Sequence, residues 1–127
     1  MTTTTEAETP KARTLDLEPM QTSARRLLAE DAELPSIDEL DTLTLRLRGH
    51  IMLIIPGVET AAFEQPDDDV PRACALACIG EARMRLRLEA DPGLPAGIAH
   101  AQRLARSLDS LCDHYVNLHC GPEEGAS

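Results

Sequence analysis

Apolar residues recur at helical spacing in four stretches of this chain. Between Asp69 and Leu88, Ala75, Ile79, Ala82 and Leu86 step by four, three and four, with Cys78 beside them, so they share one side of a helix. Asp69 suits the N-cap, and Pro71 falls in the first turn, where a missing N–H costs nothing. Arg83, Arg85 and Arg87 complement the carbonyl end of the helix dipole. The pattern marks this stretch as the helix around which the others pack.

A second stripe runs through Leu40, Leu43, Leu47, Ile51 and Ile54. Ser36 opens it with a capping-box pattern, its hydroxyl accepting from an orphan N–H while Glu39 reaches back. Leu43, Leu45 and Leu47 also alternate with polar residues, as a half-buried strand would. Helix is preferred, because the cap is explicit and the stripe continues to Ile54. Pro56-Gly57 reads as its end, with one or two further turns over Val58–Glu64 and an acidic loop at Gln65–Asp68. Before it, Met20, Ala24, Leu27 and Leu28 predict a short helix over Glu18–Glu30, with Pro19 in its first turn. After the central helix, Asp91-Pro92-Gly93 is a turn. The longest helix then spans Pro95–His119, carrying Leu104, Leu108, Leu111, Tyr115 and Leu118, with Ala101, Ala105 and Cys112 alongside. Gly121 suits the position after its end, and Pro122 a stop.

These elements predict an all-α fold, an up-down bundle of three to four helices. Residues 1–16, rich in Thr and Glu and without period, read as a disordered tail; 17–120 form one domain and 121–127 a loose C-terminal tail. Ala75, Ala82 and Ala105 allow facing helices to approach closely. The core is nearly free of aromatics, since Phe63 and Tyr115 are the only two in the chain.

Charge narrows the partners. The 127 residues carry 12 basic and 22 acidic side chains, and residues 1–69 hold nine of the ten net negative charges. Such a protein binds phosphate backbones and anionic membranes poorly, and lacks the aromatic platform that single-stranded nucleic acid needs. The N-terminus has no secretory pattern, and no apolar run approaches the roughly 20 residues of a membrane span. A cytoplasmic protein with four reduced cysteines is expected.

The cysteines form the only constellation with metal-like spacing. Cys74 and Cys78 are one turn apart, and an antiparallel fold sets Cys112 and His50 at the same height. Three thiolates and an imidazole would make a structural zinc site. Buried thiols as small apolar filler are the preferred reading, because Cys-x₃-Cys within a helix lacks the specificity of zinc knuckles. His114, His119 and Cys120 gather at a helix end, where protonated histidine complements the dipole. Cys112, Asp113 and His114 point apart on a helix and make no catalytic set. Arg72, Arg83, Arg85 and Arg87 form either a solvated face or a dock for acidic groups, including the chain's own Asp67–Asp69.

The strings LLAEDAELPSIDEL, LTLRLRGHIMLIIPGVE, DDDVPRACALACIGEARMRLRLEADPG and RLARSLDSLCDHYVNL, spread over Ala24–Leu118, resemble a family of small actinobacterial proteins of unknown function that carry a natural-product biosynthesis label. The resemblance implies a helical accessory protein and transfers no catalytic residue. With no catalytic constellation in view, the expectation is a non-enzymatic accessory or regulatory protein that binds another protein or a second copy of itself. The alternative is a metal- or small-apolar-ligand-binding bundle.

Overall fold

The computed structural model describes residues 15–126. Of the tail expected over residues 1–16, the first fourteen lie outside the described residues, as does Ser127, while Leu15 and Asp16 are placed just before the first helix. Four helices appear in order: α1 (Glu18–Leu28), α2 (Ile37–Phe63), α3 (Val70–Arg87) and α4 (Leu94–Ala126). No strand occurs among the described residues. Leu45, which a half-buried strand would share with Leu43 and Leu47, stands 71% exposed between two buried neighbours, as helical period requires.

The predicted caps form in part. Ser36 Oγ accepts from the Glu39 N–H at 3.2 Å, and an Asp69 carboxylate oxygen accepts from the Arg72 N–H at 2.9 Å. Glu39 does not reach back to complete the box. Its carboxylate instead receives Arg26 Nε and Nη2, both at 2.9 Å, tying α1 to α2.

Two expected stops are overrun. Helix α2 passes through Pro56-Gly57 and ends at Phe63. Pro56 is exposed and Met52, whose carbonyl loses its donor, is exposed too, so the missing bond faces water. Apolar burial of Ile54, Ile55, Val58, Ala61 and Ala62 holds both halves of the helix on the core. Helix α4 likewise carries through Gly121 and Pro122 to Ala126 instead of ending there in a loose tail. A proline removes one backbone hydrogen bond, and the helix continues past Pro122 without it.

Contacts fix the direction of each rod. Gly97 lies against Leu40, and Gly57 against Tyr115, so α2 and α4 run parallel. The N–H of Leu15, just before α1, donates to Tyr115 Oη at 3.2 Å, while Arg26 reaches Glu39 at the start of α2. Helix α1 therefore runs opposite to α2 and α4. Arg48 Nη2 donates to the Leu86 carbonyl at 2.6 Å, and Arg85 Nη1 to the Arg103 carbonyl at 3.1 Å, which sets α3 opposite to both as well. The bundle is up-down-up-down.

Its hub is not α3, as the sequence pattern suggested. Helices α2 and α4 each pack against all three others, α4 the more extensively, whereas α1 and α3 do not meet. The reason lies in side-chain volume. Helix α4 buries Leu104, Leu108 and Leu111 completely, and α2 buries Leu47, Ile51 and Ile54. Each such side chain contributes about 1.5–3 kcal/mol on leaving water. Helix α3 offers Ala75, Ile79 and Ala82, which allow close approach but bury little area.

Candidate functional site

The structure separates the four residues of the zinc hypothesis. Cys112 is fully buried in the core, Cys78 is half-buried, and Cys74 is exposed. Equal height along two helices does not confer equal direction. Each residue turns about 100° around its axis, and Cys74 precedes Ala75, the centre of the buried side. His50 lines a shallow groove with Asp16, Pro19, Ser23 and Arg46, on the α1 side of α2. Since α1 and α3 do not meet, that groove lies away from the α3 cysteines. Among the described residues no group of three or more His, Cys, Asp or Glu side chains is placed to hold a metal ion. The Cys120 side chain lies outside the described residues.

Burial also sets the character of the thiols. Cys112 is pushed up to about 11 by burial first and by the Asp109 and Asp113 carboxylates second. Burial likewise raises Cys78, with Glu81 adding to it and Arg85 opposing. Both are poor thiolates at neutral pH, the opposite of what a nucleophile needs.

The arginines serve the protein's own architecture. Arg72 packs over the Phe63 ring at 5.1 Å, meets Asp67 at 3.5 Å and donates to the Gln65 carbonyl at 3.1 Å, locking the α2–α3 loop. The acidic loop is thus a partner for Arg72, as the sequence allowed. Arg83 meets Glu59 at 3.4 Å across α2. Arg85 bridges to Ser107 Oγ at 2.9 Å and to Glu81 at 3.0 Å. Three members of the basic cluster are therefore dispersed into separate contacts, while Arg87 stays exposed.

His119 packs edge-to-face on Tyr115, with ring centroids 4.3 Å apart. His100 is buried and lines a groove of about 470 Å³ with Leu40, Leu45, Arg48 and Leu88. Its pKa is lowered, first by burial and then by Arg48 and Arg103. No buried side-chain nitrogen or oxygen among the described residues lacks a partner. The grooves lined by His50, Tyr115 and His100 are open, and among the described residues none of the three gathers a nucleophile, a base and an orienting group.

The most unusual feature is apolar surface. Helix α3 has a second, outward side: Val70, Ala73, Ala77, Gly80 and Met84 are all exposed. Val70 is 70% exposed and Met84 about half exposed. These positions step by three and four, so they form a seam along the helix opposite its core side. The edge of α2 beside it adds Leu45, Met52 and Phe63, each more than half exposed. Helical spacing places them just beyond Arg48 and Glu59, the α2 residues that touch α3. Hence the outer side of the α2–α3 hairpin carries an apolar row on each helix, with Arg48, Glu59 and Arg83 between them.

The sequence pattern missed this face, although the signal was present. The run Arg72–Met84 is apolar or small at most positions around the helix, so one stripe does not exhaust it. Surface apolar residues scattered singly need no explanation, but rows at helical spacing on adjacent helices do.

A family model described as a family of unknown function (DUF6415) matches residues 18–120. The match covers all of α1, α2 and α3 and most of α4. No curated protein matches the chain, and no solved structure does.

Proposed function

We propose, for a chain that belongs to this family of unknown function, a role as a non-enzymatic helical accessory or regulatory protein that acts by binding protein in a natural-product biosynthesis setting. The observation that carries the reading is the exposed apolar face of the α2–α3 hairpin. Leu45, Met52, Val70 and Met84 are each more than half exposed, and Phe63 is exposed beside Arg72. Exposing that area is unfavourable unless something covers it. The resemblance of Ala24–Leu118 to proteins carrying the biosynthetic label supports the setting. Arg72, Arg83 and Arg85 are engaged in structure, and burial holds two thiols protonated, which fits an accessory role.

The test compares the intact chain with its Met52→Glu, Met84→Glu double variant on a column loaded with extract of the host's own cells. A protein bound by the first and lost by the second, with helicity unchanged, supports the reading. Identical retention by both overturns it.

A further inference from the structure

We infer that the outer face of the α2–α3 hairpin pairs with the same face of a second copy of this chain, with the two α3 helices antiparallel. This rests on the protein-binding reading and names its partner.

Shape comes first. The seam is small in its middle, where Ala77 and Gly80 are exposed, and a Cβ built on Gly80 meets nothing within 4 Å. Small residues there let two backbones approach. Toward the C-terminal end the seam carries Met84, and one helical repeat before the centre it carries Ala73. A twofold axis passing between Ala77 and Gly80 sets each Met84 over the Ala73 of the other copy, large against small. A parallel arrangement places Met84 against Met84 and leaves Ala73 facing Ala73.

Charge selects the same direction. The hairpin loop at the start of α3 holds Asp67, Asp68 and Asp69. Arg83 and Arg87 lie near the other end, both exposed. Antiparallel pairing brings Arg87 of each copy to the acidic loop of the other. Parallel pairing sets three carboxylates of one copy against three of the other. Glu89 and Asp91 beyond the helix partly offset the arginines, but that end stays near neutral while the loop end does not. Asp67 and Asp69 are already engaged with Arg72, which leaves Asp68 for the cross-copy contact.

The experiment uses the full chain and measures mass in solution by light scattering after gel filtration, from about 1 to 100 µM. The expected species has twice the 13.8 kDa chain mass. Ala77→Glu, at an exposed position of the seam, yields a folded monomer. Arg87→Glu weakens the pair by about tenfold, since a contact repeated twice changes from attraction to repulsion. Adding Asp68→Arg to that variant restores it.

A wild-type chain that stays monomeric throughout overturns the inference, and so does a dimer that Ala77→Glu leaves intact. A charge swap that fails to restore the pair overturns the antiparallel arrangement. A monomer that still captures a host protein, with capture abolished by Met52→Glu and Met84→Glu, overturns self-pairing and leaves the protein-binding role standing.

Discussion

Gly49 and Gly57 sit in the same helix, two turns apart, and their replacement by alanine has opposite consequences. Both lie inside α2 at ordinary helical backbone angles, since the only positive φ among the described glycines is at Gly93. In each case alanine gains about 0.8–1 kcal/mol from helix propensity. At Gly49 nothing lies within 4 Å of the new methyl, so the full gain is expressed. At Gly57 the methyl meets Leu15 Cδ1 at 3.1 Å and Tyr115 Cε1 at 3.2 Å. Both neighbours must move by a few tenths of an ångström. Tyr115 is poorly placed to do so: it is 7% exposed, its hydroxyl accepts the Leu15 N–H, and its ring packs against His119. Overpacking of this kind costs about 1–3 kcal/mol, which outweighs the propensity gain. Gly49→Ala is therefore expected to raise Tm by about 4 °C, and Gly57→Ala to leave it unchanged or lower it by up to about 8 °C. Thermal unfolding followed by circular dichroism, with urea midpoints as a check, reads both. If Gly57→Ala proves as stabilising as Gly49→Ala, the packing described around Tyr115 is wrong.

Two further outcomes follow from burial. Under native conditions iodoacetamide should modify Cys74 first, Cys78 more slowly and Cys112 only on unfolding, as read by peptide mass mapping; modification of Cys112 at the Cys74 rate refutes its place in the core. Stability should fall as pH drops below about 6.5, because the unfolded chain takes up protons at His100 and His50 before the folded one does. The loss ends once pH passes below the depressed folded values, and His100→Gln should remove part of the slope in urea midpoints measured from pH 8 to 5. An unchanged slope would show that His100 is not desolvated.

Much of the fold was legible because apolar period and capping chemistry are local. Leu40–Ile54 and Leu104–Leu118 each announce a helix and its buried side, and Ser36 and Asp69 mark two starts. The ends were not legible. Pro56 and Pro122 carry a strong local signal for termination, yet tertiary burial beyond Pro56 outweighs one lost hydrogen bond. The hub was misread for a related reason. Periodicity reports direction, not area, so the clean stripe of α3 looked central although its alanines bury less than the leucines of α4. The metal set turns on angle, which the sequence does not give. Loop lengths give the height of Cys74, Cys112 and His50, but a shift of one residue swings a side chain from core to solvent, and Cys74 is one residue from Ala75. The exposed face on α3 was hidden by the habit of assigning one stripe per helix.

Because α4 is made last and packs against all three other helices, the order of synthesis works against the fold. The ribosome releases α1, α2 and α3 before the segment that shelters Leu47, Ile51 and Ile54 has been made. The nascent chain must keep those side chains from sticking elsewhere until Leu104 and Leu108 emerge, so native structure forms late in translation and not helix by helix. A nonsense codon in the early part of α4 would yield a chaperone client instead of a shorter working protein.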